Sequence, residues 1–169
     1  MSLSMYDASV TVFLHNLQQL SHLLEKGLAH AKAKGIDPTT LVNARLADDM
    51  RPLSFQIQSA SDASKLAVAR LSGVAAPSFP DTETTFDELQ KRIADTRTFL
   101  QSVPREAFGG SEDRKFTMKI GPNTEHEFTG QPYLLHFALP NFFFHVTTAY
   151  AILRHNGVEV GKRDYLGRA

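Results

Sequence analysis

Residues 132–156 read PYLLHFALPNFFFHVTTAYAILRHN, and this stretch decides the fold. Tyr133, Leu134, Leu135, Phe137, Leu139, Phe142, Phe143, Phe144, Val146, Ile152 and Leu153 leave little polar surface on a helix. A helix that is apolar nearly all round is either buried by its own chain or covered on one side by a partner chain. The apolar run around Phe142 to Phe144 is far too short to span a bilayer, so the cover must be protein. Pro140 removes one backbone donor and predicts a kink, and Gly157 follows Asn156 as the stop.

Three further helices precede it. Phe86, Leu89, Ile93, Thr96, Leu100 and Val103 succeed one another at alternating steps of three and four, which predicts a third helix ended by Pro104. Thr84 or Thr85 caps it, and Asp87 and Glu88 put negative charge in the first turn, where the helix dipole favours it. In the second helix, Pro52 to Leu71, the stripe is Leu53, Ile57, Ala60, Ala67 and Leu71; small Ala60, Ala63 and Ala67 admit a close neighbour, and Gly73 lies just past the end. A first helix from about Tyr6 to Lys34 carries Val10, Leu14, Leu17, Leu24, Leu28 and Ala31 on one face. Ser4 or Asp7 opens it and Gly35 closes it. Asp37 caps a short helix from Pro38, and residues 43–51 read as a loop or helical turn whose Asp48 and Asp49 either bind a cation or, the leading reading, cap the second helix.

The connections are equally legible. Val74 to Thr82, with Pro77 and Pro80, is an extended connector. Phe116, Met118 and Ile120 alternate with Thr117 and Lys119; Gly121-Pro122-Asn123 turns the chain, and Thr124 to Thr129 returns as a second strand. A lone hairpin is barely stable in water, so this one must pack on the helices. The expected fold is all-α: a four-helix bundle with a small β-hairpin between helices three and four, the connector and hairpin serving as crossovers.

The 169 residues make one domain over positions 1–169. A 42% hydrophobic share is enough for a packed core and excludes a disordered chain. Lys plus Arg and Asp plus Glu number 18 each, and no dense basic run appears, which argues against a nucleic-acid or membrane partner. Without cysteine there are no disulfides, thiolate zinc sites, iron–sulfur clusters or Cys nucleophiles. The opening MSLSMYDASV has no basic segment, and His15, Asn16 and Gln18 interrupt the apolar residues beyond it. No secretory signal is read, and the cytoplasm is the expected location.

Chemistry must then come from a few side chains. His15, His22 and His30 on the first helix and His126 in the hairpin read as surface residues, and His155 as a partner for the last carbonyls of its helix. His136 and His145 both lie in the apolar fourth helix, nine residues apart, about half a rotation on a straight helix, and so point to opposite sides. His145 shares a stripe with Asn141 and Thr148. A buried imidazole must find partners, so His145 is either a satisfied core residue or part of a site. Gln58 and Asp62 share one face of the second helix, either as a solvated pair or turned inward to meet His145. HExxH, the P-loop, GxSxG, GxGxxG after a strand, the EF-hand loop and paired Glu-x-x-His motifs are all absent.

The segment His145-Val-Thr-Thr-Ala-Tyr-Ala-Ile-Leu-Arg-His-Asn-Gly157 resembles the last helix of the DinB/YfiT-like superfamily, where a histidine precedes a helix ending in Leu-Arg-x-x-Gly. The helix order, the long second connection and Ala69-Arg-Leu-Ser-Gly73 are similar too. Ala44-Arg-Leu-Ala-Asp-Asp-Met50, Leu139-Pro-Asn-Phe-Phe-Phe-His145 and Gly161-Lys-Arg-Asp-Tyr-Leu-Gly167 resemble an uncharacterised bacterial branch of it, a domain family of unknown function. The resemblance implies a divalent-metal site in some members, with one histidine from the second helix and a His-x-x-x-His pair from the fourth; some of those members are thiol transferases or isomerases. By position the last histidine is His145, the one before it is Asn141, and the second-helix histidine falls near Gln58. Neutral amides thus replace two of three imidazoles, and an amide oxygen is a poor ligand for zinc or nickel. Asp62 and Asp49 are the oxygen donors that remain to substitute.

The leading expectation is a DinB-like bundle with a degraded metal site and no cofactor. It keeps a small polar pocket of His145, Asn141, Gln58 and Asp62, and acts as a small-molecule-binding or stress-related accessory protein. A homodimer is expected through the phenylalanine-rich fourth helix. One alternative is a metal-dependent enzyme of thiol-transferase or hydrolase type, with nickel, zinc or iron on His145. The other is a structural or interaction module in which His145 is hydrogen-bonded in a dry core.

Overall fold

The computed structural model describes residues 3–121 and 124–167. A π-helical turn, Asp7–Thr11, leads into α1 (Val12–Lys34), with the Ser4 hydroxyl accepting from the Asp7 amide at 3.1 Å. The short α2 (Pro38–Val42) is capped by Asp37 as its sequence predicts. Then come α3 (Leu53–Ser72), α4 (Phe86–Ser102), a 3-10 turn (Arg105–Phe108), strands β1 (Lys115–Lys119) and β2 (Glu125–Thr129), α5 (Gly130–Tyr133), α6 (Leu139–His155) and α7 (Lys162–Leu166). Gly35 and Gly73 end α1 and α3 in the left-handed conformation expected of them.

Side-chain pairs give the directions of the four long helices. Ser61 meets Thr96 at 2.7 Å and the Gln58 carbonyl meets Arg92 at 3.5 Å, so positions on α3 and α4 rise together and the two run parallel. Gln56 pairs with His145 and Arg70 with Tyr133, so α3 and α6 are antiparallel. Ser21 bonds Gln90 while Gly27 lies against Phe86, so α1 and α4 are antiparallel as well. The result is an up-down-down-up bundle in which each long helix has two neighbours; α1 stands diagonally from α3, and α4 from α6. Parallel neighbours need a return crossover, and residues 73–85 supply it.

A buried cation holds that crossover. The side chain of Arg92 is 1% exposed and reaches Asp62 of α3 at 2.8 Å, Asp81 at 2.8 Å and Glu83 at 3.0 Å. It also donates to the Pro80 carbonyl at 3.2 Å and lies over the Phe79 ring. Gln58 donates to the other oxygen of Glu83 at 3.0 Å, and buried Lys65 pairs with Asp62. Burial alone would lower the Arg92 pKa, but Glu83 first, then Asp62 and Asp81, outweigh it and raise the pKa.

All six predicted apolar-stripe positions of α4 are buried, and Thr85 with Glu88 forms the capping box at its start. In the α1 stripe Val10, Leu17, Leu24 and Ala31 are buried, while Leu14 and Leu28 are only partly so. Two capping expectations are corrected. Asp48 and Asp49 are exposed, and α3 begins at Leu53, with Pro52 at the cap position and no side-chain cap. Arg45 reaches the Met50 carbonyl at 2.7 Å and the Leu53 amide reaches Ala44, which closes this loop with the two aspartates outside. His155 is exposed, and the Asn156 side chain, not His155, donates to the Ile152 carbonyl at 2.7 Å.

Pro140 is accommodated by a π-helical turn, Leu134–Ala138, in which the Leu139 amide reaches back to the Leu134 carbonyl. Most of the apolar excess of the fourth helix goes into the core, including Tyr133, Leu134, Phe142, Val146, Ile152 and Leu153. Leu135 and Phe144 remain 47% and 57% exposed. The hairpin pairs antiparallel, Lys115 opposite Thr129, and lays Phe116 and Phe128 against Tyr133. Of its predicted turn, Pro122 and Asn123 lie outside the described residues. Among the described residues no helix is long and apolar enough to cross a membrane.

His15 and His22 are not merely solvated. His15 Nε2 contacts the Leu166 carbonyl at 2.8 Å, and His22 lies 3.4 Å from Asp164. Lys26 also reaches Asp164, at 2.9 Å, so one side of α1 clasps α7.

Removing the Arg92 charge leaves the nearly buried Glu83, and Asp62 and Asp81 beside it, without their partner, so Arg92→Met is expected to lower stability by about 3–5 kcal/mol. Urea unfolding measures this, and a variant as stable as the parent contradicts the role given to Arg92. Gly130 packs so tightly on the Ser111 carbonyl that a Cβ there would collide with backbone. Gly130→Ala is therefore expected to cost about 1–3 kcal/mol or more, and an unchanged thermal midpoint contradicts that contact.

Candidate functional site

Where α3 and α6 run side by side, their facing stripes enclose an open cleft of ≈ 320 Å³. From α3 come Phe55, Ser59, Asp62, Ala63, Leu66 and Arg70, at the three- and four-residue steps of one helix face. From the facing segment come Tyr133, Phe137, Asn141 and His145, four residues apart each time. Twelve residues of straight α-helix would rotate Tyr133 about 120° away from His145. The wider π turn at Leu134–Ala138 lies between them, and both residues line the cleft. Asp81 of the crossover and Met118 of β1 complete the wall.

His145 is held by a relay of hydrogen bonds. Its Nδ1 lies 2.8 Å from Oε1 of Gln56, a residue only 2% exposed. The amide nitrogen of Gln56 donates to the Arg51 carbonyl at 3.1 Å. That bond orients the amide, so its oxygen faces the imidazole. An amide oxygen only accepts, so Nδ1 carries the proton. Burial pushes the His145 pKa below the ordinary imidazole value. The neutral ring then has a bare Nε2, which has no protein hydrogen-bond partner among the described residues. Phe55 and Phe144 set the plane of the ring by edge contacts at 6.1 and 5.2 Å, and Arg51 stacks over Phe55 at 4.6 Å.

At the other end, Arg70 donates to the Tyr133 hydroxyl at 2.9 Å and lies over the same ring. Burial raises the Tyr133 pKa, and Arg70 offsets part of that rise. Midway, Oδ1 of Asp62 takes both Lys65 and Arg92, leaving Oδ2 without a partner among the described residues.

The structure therefore brings His145, Asn141 and Asp62 to one cleft and leaves Gln58 out of its lining. Gln58 turns toward Glu83 and the Arg92 cluster, and the glutamine that meets His145 is Gln56. Gln56 lies on the stripe Leu53, Gln56, Ile57, Ala60, Ala67 and Leu71, all buried, so a polar residue at a core position was the available signal. Arg70, Tyr133 and Asp81 had no such signal. His136 is exposed and lies outside the cleft lining, and Asp49 is exposed in its loop.

Known proteins share this bundle architecture. A crystal structure of a DinB family member protein from Shewanella denitrificans matches with a TM-score of 0.91 and 41% identity, covering 98% of this chain and 93% of that one. The protein is a DinB-like four-helix bundle. Within that class, the family described as Domain of unknown function (DUF1993) matches residues 5–166, and the chain belongs to it. No curated protein matches the chain.

The metal site implied by the superfamily needs several donors converging on one ion. Among the described residues no three His, Asp or Glu side chains stand together in a way that could hold one. His145 offers one free nitrogen, its other nitrogen is engaged by Gln56, and the Oδ1 of Asp62 is taken by two cations. This donor set does not fit a tightly held transition ion.

Because the folded protein resists protonation of His145, the unfolded chain binds that proton first. Stability is expected to fall as pH drops below about 6.5 and to level off below the folded pKa. His145→Asn removes that part of the slope. Urea midpoints from pH 8 to pH 5, roughly the imidazole range, test this; parallel curves for parent and variant contradict a neutral, buried His145.

Proposed function

We propose that the protein binds a small organic molecule in the α3–α6 cleft, with the bare Nε2 of His145 as acceptor and without a transition ion. The observation that carries this is the Arg51–Gln56–His145 relay, which spends a buried amide on keeping one face of one imidazole unprotonated. Aromatic and aliphatic walls from Phe55, Leu66, Met118 and Phe137 supply apolar surface, and Ser59, Asn141 and Arg70 supply polar groups. That mixture, in a cavity of ≈ 320 Å³, is of the size and kind that small-molecule sites have. On this reading the protein is a binding or accessory protein, and Asn141, standing where an imidazole would coordinate an ion, is part of the binding surface.

The rival is a metal-dependent enzyme with His145 as ligand. Elemental analysis of protein purified without chelators separates the two. The proposal expects nickel, zinc and iron well below one equivalent, unchanged in His145→Ala. One equivalent of any of these that disappears in His145→Ala overturns it.

A further inference from the structure

The two ends of the cleft have opposite hydrogen-bonding character. At the α6 end, His145 Nε2 is an acceptor, and midway the free oxygen of Asp62 is a second acceptor. Asp81, whose Oδ1 is held by Arg92, adds a further carboxylate to the same wall. At the far end stands Arg70, half-buried, held in place by the Tyr133 hydroxyl and engaged in no ion pair with a carboxylate among the described residues. The acidic groups of the cleft are answered by Arg92 and Lys65 behind it, so Arg70 is the cation left over.

A neutral imidazole cannot donate from Nε2, and carboxylates repel an anion, so an anionic group is excluded from the His145–Asp62 region. A guanidinium is a cation with only donors, so a ligand's ammonium is excluded from the Arg70 end. Asp62 and Arg70 are eight residues apart on one helix, a rise of about 12 Å between their Cα atoms. A simple α-amino acid, with its charges on adjacent atoms, is too short to satisfy both ends. The wall between them is apolar, with Ala63, Leu66, Met118 and Phe137.

From this polarity we infer that the ligand of the cleft is a dipolar chain molecule, an ω-amino acid or short peptide-like compound, with its amine on Asp62 and its carboxylate on Arg70. This rests on the small-molecule reading and gives it a substrate class. The carboxylate completes a charge-assisted pair with a guanidinium already oriented by Tyr133. The amine meets the Asp62 oxygen that no protein donor satisfies among the described residues, and the methylene chain covers the apolar wall.

The test uses the full chain and four matched probes: aminohexanoic acid with its amine and carboxylate at opposite ends, hexylamine, hexanoic acid and hexanamide. Titrations are followed by calorimetry. Aminohexanoic acid is expected to bind at least about tenfold more tightly than each of the other three, the factor one charge-assisted bond supplies. Arg70→Met is expected to erase its advantage over hexylamine, and Asp62→Asn to reduce its advantage over hexanoic acid; circular dichroism confirms that each variant is folded. Arg70→Lys keeps the charge and is expected to restore part of the loss, which a purely structural Arg70 would not show. If hexanamide binds as tightly as the dipolar probe, the inference is overturned while the small-molecule reading stands. If none of the four binds, the inference is overturned, and the elemental assay decides separately on the reading beneath it.

Discussion

A single buried guanidinium organises this bundle. Parallel α3 and α4 oblige the chain to travel back along them, and an extended crossover has few backbone bonds of its own to hold it there. Arg92 supplies the hold by gathering Asp62, Asp81, Glu83 and the Pro80 carbonyl around one side chain. Two of those groups, Asp62 and Asp81, also line the α3–α6 cleft, so the lock and the candidate site share residues. Burying such a charge is costly unless every carboxylate stays in place, which makes the crossover a poor place for variation.

The histidine depends on a second loop. The 44–51 segment closes on itself through Arg45 and Met50, and the Arg51 carbonyl it presents orients Gln56, which orients His145. The superfamily's metal-binding pattern would need imidazoles where this chain has amides. Here an amide fixes which ring nitrogen is protonated, a role that second-sphere groups play around metal ligands, turned toward an open cleft instead. The chemistry that results is acceptance of a hydrogen bond at Nε2.

Most of the fold was legible because periodicity reports burial directly. The α4 stripe, the Thr85 cap, the Gly35 and Gly73 stops and the hairpin alternation are local signals, and they match the structure. The long crossover was legible as a proline-bearing connector, but the cation that locks it was not, since nothing local marks Arg92 as buried. The cleft was half legible. His145, Asn141 and Asp62 stood out as polar residues in or beside apolar helices, whereas the choice between Gln56 and Gln58 depended on a two-residue register. Residues two positions apart on a helix point about 200° away from each other, so that choice decides which of them meets His145 and which turns to Glu83. Arg70 and Tyr133 come together only through antiparallel pairing and a π turn; Pro140 marks an irregularity in that helix but not that a π turn would carry Tyr133 round to the cleft.

Whether the cleft accepts or donates a hydrogen bond at α6 turns on the protonation of one ring. Neutron diffraction from a deuterium-exchanged crystal grown near neutral pH locates that proton directly. A deuteron on Nδ1 of His145, directed at Gln56 Oε1, with none on Nε2, is the expected result. A deuteron on Nε2 would contradict it, because the cleft would then offer a donor where an acceptor is required.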